Sequence, residues 1–96
     1  MSREKLSSEQ LNAALGQIST WEILENKLHA TFKFKNFIEA FGFMTQVAII
    51  AEKLNHHPEW SNVYNTVTID LITHDASGIT QLDIDLAQKI DELFSY

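Results

Sequence analysis

The chain contains no cysteine, one proline and three glycines among its 96 residues. Without cysteine there is neither a disulfide framework nor a thiolate metal site, so redox chemistry does not assign a compartment. No apolar run approaches the roughly 18 residues that a membrane span needs. The opening residues, MSREKLSSEQ, also lack the apolar core of a signal peptide. These absences favour a cytoplasmic protein without a membrane partner.

Basic residues are also scarce. Seven Lys and Arg stand against 13 Asp and Glu, which gives a net charge of −6. An acidic chain with scattered basic residues argues against direct binding to nucleic acid, because such binding depends on basic patches. Hydrophobic residues make up 45% of the chain and can form a core. We expect a single domain over residues 1–96, and its small size favours oligomerisation as a source of stability.

Three segments have the pattern of amphipathic helices. Capping boxes are predicted at their starts, pairing Ser7 with Gln10, Asn36 with Glu39, and Thr80 with Asp83. The first helix is predicted to end at Gly16 and the second at about Lys53. The apolar stripe expected on the second helix is Phe37, Ala40, Phe41, Met44, Val47, Ala48 and Ala51, and that on the third is Leu82, Leu86, Ile90 and Leu93. Ile38 and Ile49 lie off the stripe, either as ordinary exposed residues or as part of a subunit contact.

Alternating apolar and polar residues predict strands between these helices. Residues 21–25 form a weak strand candidate that turns at Asn26 into a half-buried strand over 27–35. Residues 62–73 alternate again, with Val63, Val67, Ile69 and Leu71 on one face, and a bend or tight hairpin near Asn65 is an alternative to one long strand. The order α-β-β-α-β-α predicts an α+β fold, with helices packed on one face of an antiparallel sheet.

Histidines are the strongest chemical signal. His56, His57 and His74 flank the second alternating segment, where scaffolds usually present functional residues, whereas His29 lies mid-strand on the polar face and is expected to be a surface residue. Adjacent side chains in an extended segment diverge, and the i,i+4 spacing of helical metal ligands is absent, so a metal site is disfavoured. The pKa of histidine, about 6.5, suits acid–base chemistry near neutrality.

Two carboxylates are candidates for orienting these rings. Asp75 adjoins His74, and Glu52 precedes His56 by about one helical turn. No cysteine or serine elbow supports a nucleophilic mechanism, and no glycine-rich phosphate loop supports a nucleotide cofactor. The residues therefore indicate a histidine-based proton-transfer site without identifying its substrate.

Residues 52–80, EKLNHHPEWSNVYNTVTIDLITHDASGIT, closely resemble the signature of the pterin-4a-carbinolamine dehydratases, also known as dimerisation cofactors of a homeodomain transcription factor. The resemblance extends through FGFMTQVAIIAEKLNHHPEW and the final helix. It implies a four-stranded antiparallel sheet with three helices packed on one face, assembled as dimers that pair into tetramers. Ser77 replaces a glycine found in many relatives, and Ala76 stands where animal relatives carry a cysteine.

The resemblance also implies an activity. It is the elimination of water from 4a-hydroxytetrahydropterin to give quinonoid dihydropterin, with no cofactor or metal. By position, His56 and His74 would be the catalytic proton-transfer pair, and the substrate-binding residues would be Asn55, His57, Thr73 and Asp75. Two alternatives remain: a coactivator that binds a transcription factor, with a nuclear location, as in animal relatives; and an enzyme for another pterin-like substrate.

Overall fold

The polypeptide forms three helices and one four-stranded sheet. The computed structural model describes residues 4–95. Its elements are α1 (Ser8–Leu15), β1 (Glu22–Leu24), β2 (Lys27–Lys33), α2 (Phe37–Leu54), β3 (Glu59–Val63), β4 (Thr66–Leu71), a 3₁₀ turn (His74–Ala76) and α3 (Gln81–Phe94). The sheet order is β1-β2-β4-β3, and every neighbouring pair is antiparallel. The predicted α+β class and the four-stranded sheet are confirmed.

Side-chain caps begin all three helices at the predicted residues. The Ser7–Gln10 and Thr80–Asp83 capping boxes are complete. At α2, the Asn36 side chain accepts from the Glu39 backbone N–H at 2.9 Å, but the Glu39 carboxylate accepts from the backbone of Lys35 rather than from that of Asn36. The side-chain cap of α2 is therefore present. The second hydrogen bond of the predicted box, from the Glu39 carboxylate, goes to the backbone one residue before Asn36. These caps satisfy backbone donors that the first helical turn leaves unpaired.

Two tight turns account for the strand pairing. Glu25 and Asn26 both have positive φ, at 51° and 66°, and join β1 to β2. The second alternating segment is a hairpin rather than one strand, because Tyr64 (φ 51°) turns the chain between β3 and β4. The prediction that Val63 belongs to the buried face was wrong. The turn pairs Val63 with Thr66, which places it on the polar face, and it is 76% exposed.

The hydrophobic core lies between the helices and one face of the sheet. Alternate residues of the two central strands are buried there: Leu28, Ala30 and Phe32 of β2, and Val67, Ile69 and Leu71 of β4. Helix α3 contributes Leu82, Ile84, Leu86, Ala87 and Ile90, and side chains of α1 pack at the margin. The opposite sheet face carries mainly polar and charged side chains. This one-sided arrangement matches the expected packing of the helices.

Helix α2 is rotated relative to the predicted stripe. Its buried residues are Ala40, Phe43, Val47 and Ala51, so the predicted core positions Phe37, Phe41 and Ala48 were wrong. The helix is apolar around much of its circumference, and the pattern alone did not define which side meets the sheet. The side of α2 that faces the sheet is the one that carries Phe43, whose ring centroid lies 5.3 Å from that of Phe32. Within residues 4–95, no helix combines the length and apolarity that crossing a membrane requires.

Adjacent residues of β4 provide a test of which sheet face is buried. Ile69 is fully buried, whereas Thr68 points to the polar face. Ile69→Ala should lower the free energy of unfolding by about 2–5 kcal/mol, because it leaves a cavity in the core. Thr68→Ala should cost less than about 1 kcal/mol, mainly through strand propensity. Urea unfolding of both variants at one protein concentration measures the difference, and equal losses would contradict the assigned faces.

Candidate active site

A cavity of about 240 Å³ brings together all the site residues predicted from the sequence. It is lined by Asn55, His56, His57, Ile72, Thr73, His74 and Asp75. The first three follow the C-terminus of α2, and the others follow β4. Ile72 is the lining residue that sequence reasoning missed. Two distant segments of the chain thus converge on one concave surface that is rich in titratable groups.

The end of α2 directs the two adjacent histidines. Asn55 adopts a left-handed conformation (φ 53°, ψ 42°) that ends the helix, a geometry that asparagine tolerates better than most residues. The backbone N–H of His56 then donates to the carbonyl of Ala51 at 3.0 Å, which completes the cap. Pro58 restricts the residue before it to extended conformations. The histidine pair therefore leaves the helix in a defined direction.

A closed loop after β4 presents the third histidine. Thr73 and Gly78 form an isolated antiparallel bridge, with the Thr73 N–H donating to the Gly78 carbonyl at 3.0 Å. Between them His74–Ala76 form the 3₁₀ turn, and Ser77 takes a left-handed conformation at φ 54°. Thr73 is buried at the base of the loop, whereas His74 and Asp75 are exposed at its tip. The loop thus projects His74 into the solvent-facing part of the site.

Asp83 is the buried acceptor that joins the two halves of the site. Its Oδ1 lies 2.5 Å from Nε2 of His56, and both side chains are almost completely buried. Its Oδ2 accepts hydrogen bonds from the Thr73 hydroxyl and the Thr80 backbone N–H, each at 2.9 Å. The prediction that Glu52 orients His56 was wrong. Asp83 at the start of α3 occupies that role, because its Oδ1 reaches His56 while its Oδ2 is used by Thr73 and Thr80.

The two exposed site histidines have carboxylate partners of their own. Nε2 of His57 lies 2.8 Å from Glu52, and Nε2 of His74 lies 2.9 Å from Glu59 on β3. Asp75 was the predicted partner of His74, and that prediction was wrong, since Glu59 reaches the ring from the neighbouring strand. Glu59 also accepts from Lys27 Nζ at 2.5 Å. The hydrogen bond from Lys27 lowers the pKa of the Glu59 carboxyl below its ordinary value, and that from His74 acts in the same direction.

All three site histidines therefore engage a carboxylate through the same ring nitrogen. A carboxylate only accepts, so Nε2 donates in each pair, and these contacts do not use Nδ1. His29 has the opposite arrangement, because its Nδ1 lies 2.8 Å from Asp70 on the polar sheet face. It is partly buried there and does not line the cavity. Carboxylate pairing of this kind sets the tautomer and orientation of an imidazole that transfers protons.

Sequence reasoning missed the roles of Asp83 and Glu59. The sequence did predict Asp83 as the acid of a capping box. Such an acid uses one carboxylate oxygen for the cap, so its other oxygen can accept a hydrogen bond from another side chain. No comparable signal existed for Glu59, because its position beside His74 depends on the β3–β4 register that pairs Glu59 with Asp70. Within residues 4–95, no three His, Asp or Glu side chains cluster in a way that could hold a metal ion. Each site histidine is instead directed to a separate carboxylate.

The fold and the site define a class of α+β protein with a histidine-lined cavity. The model of the pterin 4 alpha carbinolamine dehydratase family matches residues 4–93, and the chain belongs to this family. A protein of Solibacter usitatus (strain Ellin6076), named "Putative pterin-4-alpha-carbinolamine dehydratase", is 56% identical over 89 residues, which cover 93% of this chain and 94% of the relative. A relative of the same name from Mesorhizobium japonicum is 51% identical over 96 residues, 98% of either chain.

A solved structure shares this architecture. It is the crystal structure of a transcriptional coactivator/pterin dehydratase from Brucella melitensis, which superimposes with a TM-score of 0.92 at 43% sequence identity. The match covers 95% of this chain and 99% of the Brucella chain. The resemblance drawn from the histidine motif is thereby confirmed at the level of family and fold.

The central position of Asp83 predicts a large effect on stability. Asp83→Ala should lower the free energy of unfolding by about 2–4 kcal/mol, because three buried donors lose their acceptor and the cap of α3 is weakened. Asp85→Ala on the same helix is the matched control. It removes only an exposed hydrogen bond from Gln81 and should cost less than about 1 kcal/mol. Urea unfolding measures both, and equal losses would show that Asp83 does not hold the site together.

Proposed function

We propose that the protein is a dehydratase that eliminates water from 4a-hydroxytetrahydropterin and yields quinonoid dihydropterin. This reaction recycles the pterin cofactor of aromatic amino acid hydroxylases. The observation that carries the proposal is the cavity in which three histidines, each paired with a carboxylate, meet the predicted substrate-binding residues. Membership in the dehydratase family supports the same activity.

The proposed reaction is a proton-coupled elimination. The bond between C4a and its hydroxyl oxygen breaks, the hydroxyl accepts a proton and leaves as water, and the proton on N5 is lost. The substrate thus loses one water molecule with no change in oxidation state. His56 and His74 approach the cavity from different segments, so one can donate a proton while the other accepts one. The elimination needs neither a cofactor nor a metal ion, because neutral imidazole and imidazolium supply both functions near pH 7.

In this proposal the remaining polar groups of the cavity bind the substrate. Asn55, His57, Thr73 and Asp75 line it beside the proposed catalytic pair. A pterin presents a planar ring with alternating donors and acceptors along its pyrimidine edge, which suits pairing with side-chain and backbone groups of this kind. In this proposal His57 holds the ring while its neighbour His56 transfers a proton.

Rates of dehydration test the proposed activity. Catalytic amounts of the protein should accelerate dehydration of freshly prepared 4a-hydroxytetrahydropterin near neutral pH. His56→Ala and His74→Ala should each lower kcat by about 10²-fold or more, as expected for loss of a general acid or base. His57→Ala should act chiefly on KM.

His29→Ala is the matched control, since it removes a carboxylate-paired histidine outside the cavity. It should leave the rate within about twofold of the unaltered protein, as expected for a group that does not contact substrate. Absence of any acceleration by the unaltered protein would refute the dehydratase proposal. Small and equal effects from all four histidine variants would refute the assigned roles alone.

A second candidate function, protein binding, is favoured by the outer surface of α2. The exposed apolar residues Phe37, Ile38, Phe41 and Ile49 form this outer α2 surface, with exposures from 48% to 81%. Such a cluster on a small acidic protein marks a contact with another protein. We propose that it joins copies of this chain into dimers or tetramers, and that a homeodomain transcription factor is the alternative partner. The description of the Brucella protein as a transcriptional coactivator supports a partner that acts in transcription, and the homeodomain factor is the form of that partner expected from animal relatives.

Charge substitutions test the outer α2 surface. The double variant Ile38→Asp/Ile49→Asp should shift the molecular mass measured by light scattering toward that of a single chain. Leu24→Asp/Val63→Asp is the control, because it adds the same charges to exposed apolar residues of β1 and β3. It should keep the oligomeric state of the unaltered protein. An oligomer that survives the α2 substitutions would exclude this surface as the contact.

A further inference from the structure

The β1–β2 hairpin contacts the His74 loop from the polar side of the sheet. The Asn26 side-chain amide donates to the Ser77 carbonyl at 2.9 Å. Lys27, the first residue of β2, reaches Glu59 at 2.5 Å, and Glu59 in turn contacts His74 at 2.9 Å. Two separate contacts therefore connect this hairpin to the segment that carries one of the proposed catalytic histidines.

We propose that Glu59, held in place by Lys27, is a positioning residue that fixes the tautomer and orientation of His74. The proposal rests on the dehydratase function for its catalytic consequence, but the effect on the ring belongs to the protein alone. Glu59 does not line the cavity. It acts on the reaction through His74 and contacts no reacting atom.

The difference in burial between His56 and His74 explains why such a residue is needed. The His56 side chain is 8% exposed and is held by surrounding atoms as well as by Asp83. The His74 side chain is 73% exposed, so packing does little to restrict its rotation. An exposed imidazole samples several rotamers unless a directional contact selects one. For His74 that contact is the carboxylate of Glu59.

The carboxylate of Glu59 is itself fixed by contacts on both oxygens. Oε1 accepts from Lys27 of β2 and Oε2 from His74 of the 3₁₀ turn, so the carboxylate is held between the two residues. The hydrogen bond from Lys27 lowers the pKa of the Glu59 carboxyl, which favours the ionised form that accepts from His74. Other charges nearby are Asp70 and Glu25, which act on Lys27, and Asp75 beside His74.

The polar sheet face supplies a matched control for the charge of Glu59. Glu22, His29, Asp70 and Glu59 form one row across β1, β2, β4 and β3 through the strand register. Glu22 is an exposed carboxylate at the far end of that row and does not contact the cavity. Glu22→Gln therefore removes the same charge from the same sheet face without altering the contact to His74.

Kinetics and NMR of these variants test the proposal. Glu59→Gln should lower kcat about tenfold with little change in KM, which is less than the loss expected for removing the histidine itself. Lys27→Met should lower kcat about threefold, in line with the small contribution of an exposed ion pair. Glu22→Gln and Lys33→Met should match the unaltered protein, Lys33 being the exposed lysine at the other end of β2.

The tautomer of His74 is the readout that a purely structural role would not change. In long-range ¹H–¹⁵N spectra at pH 8.5, the unaltered protein should show His74 protonated at Nε2, and Glu59→Gln should give a mixture of both tautomers. His29, paired with Asp70, should be unaffected. An unchanged His74 tautomer in Glu59→Gln, or a loss of kcat equal to that of Glu22→Gln, would overturn the proposal. If the unaltered protein has no dehydratase activity, a changed tautomer still supports the positioning role while the proposed function fails.

Discussion

The structure depends on one buried carboxylate that serves the fold and the site together. Asp83 caps α3 through Thr80, accepts a hydrogen bond from the Thr73 hydroxyl just after β4, and accepts another from His56 beyond the end of α2. A buried polar side chain is tolerated only when its hydrogen bonds are satisfied, and here the partners lie after α2, after β4 and at the N-cap of α3. The hydrogen bonds that offset the desolvation of Asp83 therefore also fix the relative positions of the cavity walls.

The two proposed catalytic histidines are held by different physical means. His56 is buried against Asp83, so its orientation belongs to the folded core. His74 stands in solvent on a short loop, and its partner Glu59 belongs to a charged network on the sheet face that also includes Lys27. The cavity is therefore bounded by one buried and one exposed imidazole. The polar sheet face thus contacts the cavity residue His74 through Glu59.

Much of the architecture was predictable because local patterns agree with the global fold. Capping residues such as Ser7 and Thr80 predict where the helices start. The strict alternation of apolar and polar residues in β2 and β4 identifies the buried sheet face. Prediction failed where the outcome depends on neighbours distant in sequence. Helix α2 is apolar on several sides, so its orientation is decided by the sheet and α3. The carboxylate partners of the histidines likewise depend on strand register and loop closure, which residue spacing along the chain does not encode.

We propose that the three site histidines, paired with carboxylates through Nε2, present Nδ1 to the ligand. The most direct test is a titration of the unaltered ¹⁵N-labelled protein with an oxidised, unreactive pterin, followed by long-range ¹H–¹⁵N spectra at pH 8.5. The account predicts Nε2-protonated rings for His56, His57 and His74, with Nδ1 resonances that shift on binding, and an unresponsive, Nδ1-protonated His29. Site histidines protonated at Nδ1, or Nδ1 resonances that do not shift when the pterin binds, would contradict this arrangement of the rings.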